Sequence, residues 1–287
     1  MCDDDIHVGL IHDPTVSRRT FGLMSVAVAG GIAGAAQAAG EVVEKDVEVK
    51  TPDGVADAAL YYPAGKGTWP AVLIWTDIAG LRPAFREMGR RLAAQGHVVL
   101  VPNPFYRSVK GPVATPGFDF NKPEDRARVM GYRQAMTNEG IDKDAIAFFA
   151  FLDAQPQTNR KKKAGVQGYC MGGPLSFRTA AAVPGRIGAV GSFHGGGLTT
   201  DKPDSPHLLI PRTNAAYLVA VAKNDDEKQP ESKDILKKAF ADAKKTATVE
   251  VYPANHGWCV KGSQVYDEAA AEKAWAELTG LYKAALG

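Results

Sequence analysis

Two glycines frame a cysteine in Gly168-Tyr169-Cys170-Met171-Gly172, inside "AGVQGYCMGGPLSF" (164–177), where an apolar run ends and a helical pattern begins. Cysteine alone packs as a small buried hydrophobe, and glycine marks backbone that bends sharply. Combined in G-x-C-x-G spacing, they describe a strained strand-to-helix turn that lifts a thiol clear of the chain as a nucleophile. Glycines two residues to either side are required because such a turn crowds the strand before it and the helix after it. The helix N-terminus favours the thiolate by only about 0.3–1 kcal/mol, less than one pKa unit. Strong activation therefore demands an imidazole. A buried structural cysteine is the competing reading of this string taken by itself.

Two further residues complete a nucleophilic set, each just past an apolar run. "AYLVAVA" is followed by "KNDDEKQP", offering Asp225 and Asp226, and "VEVYP" is followed by "ANHGWC", offering His256. Nucleophile, acid, then histidine is the chain order that this kind of turn requires. Taken singly, the acids read as solvated or capping residues and the histidine as an ordinary loop residue; the ordered set favours a triad. Asp225 is preferred to Asp226, with both left open. His194 in "SFHGGGL" lies after the cysteine and before the acids, so it is a poor base and reads as pocket wall or structural residue. His97 and His207 attract no role.

Eight strand-like runs must position these groups: 41–50, 56–62, 70–76, 97–102, 164–169, 187–193, 215–222 and 247–253. The first two alternate polar with apolar, as an antiparallel edge does, and the others are near-continuously apolar, as strands covered on both faces are. Helical patterns lie between them at 84–96, 142–155, 173–183, 231–245 and 267–286. The alternation predicts one doubly wound, mostly parallel α/β sheet of about eight strands with helices on both faces. Residues 103–141, rich in Pro, Gly and charge, read as the largest irregular segment and a place for site residues.

The chain has 287 residues, 45% hydrophobic and 23% charged, with a formal net charge of +2. That charge argues for neither nucleic acid nor an anionic membrane. The basic run Arg160 to Lys163 reads as a solvated strand entry. At the N-terminus, Arg18 and Arg19 precede a modestly apolar, Gly- and Ala-rich run that ends in Ala36-Gln37-Ala38, an A-x-A cleavage pattern. Residues 1–38 resemble a twin-arginine export signal, leaving a single domain over 39–287 and a periplasmic destination. An uncleaved amphipathic tail is the alternative. Membrane contact is expected during export only. Cys2 would leave with the signal, and an oxidising compartment would permit a bridge between Cys170 and Cys259.

"GYCMGG", "KNDD" followed by Pro230, "HGW" and the early "LIWTDIAGL" together resemble the dienelactone hydrolase family, the cysteine branch of the α/β-hydrolase fold. The resemblance spans most of residues 42–285 and implies a carboxymethylenebutenolidase-type hydrolase acting on a small-molecule ester or enol-lactone, carboxylate-bearing ones included. It implies Cys170 as nucleophile, His256 as base and Asp225 as orienting acid, with the Ile78 and Met171 amides as oxyanion donors. The family's glutamate, which meets the resting cysteine, corresponds here to Asp77, shorter by one methylene. An arginine for a substrate carboxylate corresponds to Arg128, with Arg126 as alternative. A second family arginine is absent, and Lys261 stands nearby, a point charge in place of a bidentate fork. Acyl transfer of this type needs no metal or organic cofactor. Two other readings compete: a thiol-redox protein using Cys170 and Cys259, and a non-catalytic binding protein on the same fold.

Overall fold

A computed structural model describes residues 41–287; the expected export signal lies outside the described residues. Eight strands form one sheet in the order β1-β2-β4-β3-β5-β6-β7-β8. β1 (Val42–Thr51) and β2 (Gly54–Pro63) pair antiparallel, as their alternation predicts, and β2 also runs antiparallel to β4 (Val98–Pro102). β3 (Ala71–Trp75), β5 (Ala164–Tyr169), β6 (Ile187–Phe193), β7 (Ala216–Ala222) and β8 (Ala247–Tyr252) continue the sheet in parallel.

The central strands are almost wholly apolar because helices cover both faces. α1 (Pro83–Ala94) and α7 (Glu268–Leu286) close one face through Phe85, Leu92, Trp275, Leu278 and Tyr282. α3 (Asn138–Ala154), α4 (Gly172–Ala182) and α6 (Ser232–Asp242) close the other through Phe148, Leu152, Phe177 and Phe240. The chain leaves β3 toward β4 on one side and returns to β5 on the other, so strand order reverses between β3 and β5. In an open α/β sheet the crevice beyond the carboxyl ends at such a reversal is where ligands gather. The residues after β3 and β5 include Ile78 and Cys170.

Two segments depart from the sequence expectation. The stretch 103–141 contains a helix, α2 (Pro123–Gln134), and α3 starts at Asn138 rather than 142. Pro123 at the helix start, with Glu124 and Asp125 in the first turn, favours α2 locally. It buries only Asp125 and Val129, so no apolar stripe betrays it. The acid segment, expected as a loop, is a short helix, α5 (Lys223–Lys228), directly continuing β7. No helix among the described residues is long and apolar enough to cross a membrane.

Candidate active site

The turn after β5 has the geometry that its glycines require. Cys170 sits in the left-handed region at φ 53°, uncommon for a residue with a Cβ. A methyl at Gly168 would lie 1.8 Å from the Gly172 carbonyl oxygen, and one at Gly172 would lie 2.6 Å from that of Trp75. Neither position admits any other residue without moving backbone. Two acceptors share the Cys170 amide: the Phe193 carbonyl at 3.0 Å and His194 Nδ1 at 3.1 Å. β6 and the residue after it thus hold the turn from the side.

β7 and β8 carry the other two groups to the same edge. His256 Nδ1 donates to Asp225 Oδ2 at 2.7 Å, and the His256 amide donates to Asn224 Oδ1 at 2.8 Å. Asp226, the other candidate acid, accepts from Lys233 Nζ at 2.7 Å instead. Side chains alternate around the α5 backbone, so only one of two adjacent acids can face the histidine. Cys170, like Asp225, favours the protonated form of the His256 ring. Nε2 of the ring is shut off from solvent and has no hydrogen-bond partner among the described residues. That loose resting geometry is common in nucleophile–base pairs before substrate arrives. Burial alone would lower the His256 pKa, but Cys170 and Asp225 outweigh it and raise it to about 10. The imidazole therefore holds its proton at neutral pH.

Ile78 follows β3 and Met171 follows Cys170, and both are buried. Neighbouring amides are occupied: Ala79 donates to Asp77 Oδ1, Gly80 to the Asp77 carbonyl and Gly173 to the Cys170 carbonyl, each at 3.0 Å. The Ile78 and Met171 amides have no acceptor among the described residues.

The profile of the dienelactone hydrolase family matches residues 56–286. The chain belongs to that family. Membership makes it a hydrolase of the lactone and ester type with a small-molecule substrate. A Methylorubrum extorquens relative, assigned by name as a carboxymethylenebutenolidase, is 28% identical over 282 residues, covering 94% of this chain and 93% of the relative. The carboxymethylenebutenolidase of Pseudomonas putida is 27% identical over 172 residues, covering 59% of this chain and 69% of its own. A dienelactone hydrolase-like promiscuous phosphotriesterase from metagenomic libraries superposes with a TM-score of 0.68 at 21% identity, covering 86% of this chain and 100% of its own. The likeness shows the α/β-hydrolase fold.

The remaining candidate residues of this family member have partners of their own. Asp77 is fully buried, and its two oxygens accept from Arg82 Nη1 and Nη2 at 2.6 and 2.7 Å. Arg82 is the residue that sequence reasoning missed; its only signal is a position five residues after Asp77, in the turn between β3 and α1. With one methylene fewer than glutamate, Asp77 reaches back to its own turn. Arg128 is exposed and pairs with Asp125 at 2.7 Å, against the Phe118 ring. Arg126 lies over the Phe120 ring. Lys261 is exposed and 3.4 Å from Glu87. Cys170 and Cys259 are both free thiols, and Cys259 lies with Tyr169, Met88 and Trp275 beside α1 and α7. Among the described residues no cluster of three His, Cys, Asp or Glu side chains could hold a metal.

Proposed function

We propose that the protein hydrolyses carboxylic esters or enol-lactones through an acyl-enzyme on Cys170. The observation that carries this reading is the buried His256 ring, held through Nδ1 by Asp225 and kept protonated by Cys170 and Asp225 together, beside the strained Cys170 turn. His256 serves as the proton carrier, and the Cys170 sulfur is the nucleophile. It attacks the carbonyl carbon, and the oxygen that becomes negative takes hydrogen bonds from the Ile78 and Met171 amides. Collapse breaks the carbon–oxygen bond, and His256 gives its proton to the leaving alkoxide. His256 then takes a proton from water, the hydroxide attacks the thioester, and the acid leaves as the thiolate returns. Asp225 keeps the ring oriented through both proton transfers.

A substrate carboxylate, where present, would meet Arg128 or Lys261. Both cations are exposed, and the Lys261–Glu87 pair, exposed on both sides, contributes about 0–1 kcal/mol, so a bound carboxylate can compete for Lys261. The paired arginines ahead of the apolar N-terminal run support an exported, periplasmic enzyme. Replacing Cys170 with alanine should reduce hydrolysis of short esters and dienelactone by several orders of magnitude. Undiminished turnover would end the proposal.

A further inference from the structure

A second imidazole stands against the first, and the reaction does not use it. His194 has no solvent exposure and sits in the left-handed region at φ 41°, uncommon for a residue with a Cβ though histidine enters it more readily than most. Strain of that kind persists only where the surroundings over-determine it. Here the His194 amide donates to the Ala220 carbonyl of β7 at 2.8 Å, and Nδ1 accepts from the Cys170 amide at 3.1 Å. The ring centroid is 4.6 Å from that of His256 and 5.2 Å from that of Trp258.

His194 can fill this place only while neutral. Nδ1 needs its lone pair to accept from Cys170, so the ring proton is on Nε2, which is buried without a partner. The groups that face the ring agree. Burial, the His256 charge and Arg82 all push its pKa well below the ordinary histidine value. Tyr169 on β5 and Trp258 in the loop after β8 complete the surroundings without adding charge near neutral pH.

We propose that His194 is a positioning residue for the nucleophile. Its neutral Nδ1 fixes the Cys170 amide in the left-handed turn, and its face seats the His256 ring against the sulfur. The proposal rests on Cys170 being the reactive thiol, but it concerns what holds that thiol rather than which bond it cleaves.

The test is a pair of variants of the full chain. Asparagine tolerates the left-handed region and carries an acceptor at the place of Nδ1, whereas alanine carries none. His194→Ala is expected to lower kcat about 10- to 100-fold with KM changed less than about twofold, the penalty of a displaced reacting atom. His194→Asn should recover most of the lost kcat. In parallel, the rate of Cys170 alkylation by iodoacetamide is followed against pH, which reads the thiol whether or not esters turn over. His194→Ala should move the midpoint of that profile to higher pH, and His194→Asn should move it less. The proposal is overturned if alanine matches the wild type in kcat and alkylation profile. It is equally overturned if asparagine loses as much as alanine while both melt as the wild type does, or if the loss falls on KM. Cys170→Ala, assayed alongside, separates the two ideas: turnover surviving there sinks the nucleophile reading, while the alkylation profiles still judge His194.

Discussion

Replacing Asp225 with asparagine removes one of the two groups that hold a proton on His256, and the size of the effect can be worked out. The bond between His256 Nδ1 and Asp225 Oδ2 is 2.7 Å long, with the histidine side chain 3% and the aspartate side chain 17% exposed, so solvent screens it little. A hydrogen bond to a charged group in such a place contributes about 1.5–3 kcal/mol, and 1.36 kcal/mol corresponds to one pKa unit. The His256 pKa, about 10 in the native protein, should therefore fall by about one to two units. The sign follows from the chemistry. Asp225 favours the imidazolium, His256 must be protonated to release an alkoxide, and activity is lost as pH rises through the His256 pKa. The alkaline limb of kcat/KM should thus move to about pH 8–9 in Asp225→Asn. An alkyl ester followed by proton release in a pH-stat is the suitable assay, because its poor leaving group needs that proton. Asp226→Asn, which breaks only the partly exposed contact with Lys233, should leave the limb in place. An unmoved limb in Asp225→Asn, or a moved one in Asp226→Asn, would refute the assignment of the acid.

Asp77 and Arg82 form a buried bidentate pair, so Asp77→Asn strands a guanidinium and should cost about 3–5 kcal/mol in urea unfolding, whereas replacing the two together with leucine and methionine should recover most of it. Equal destabilisation by the single and double changes would show that the pair is not self-contained. Lysine at both Arg18 and Arg19 should leave the uncleaved precursor inside the cell, as seen by immunoblot of cell fractions, and unaffected export would remove the twin-arginine reading.

The main elements were legible because each carried a local signature. The strands from β3 onward read as apolar runs, and the elbow read as glycines that no other residue can replace. The triad read as three polar residues, each just past a strand in a fixed order. What stayed hidden depends on partners distant in sequence or on weak amphipathicity. α2 buries one apolar side chain and so shows no period. Arg82 has no signal as a partner for Asp77 until the turn after β3 folds back on itself. The contact of His194 with the Cys170 amide depends on β6 lying beside β5, a pairing that the sequence does not display. The choice between Asp225 and Asp226 turns on which side of one short helix faces the histidine.

Acid-quenching the enzyme in mid-turnover with a slowly deacylating ester, then weighing its peptides, tests the chemistry at its source. The peptide containing Cys170 should gain the mass of one acyl group, and hydroxylamine should remove it. An acyl group on any other residue, or none on the enzyme while ester is being consumed, would contradict the account.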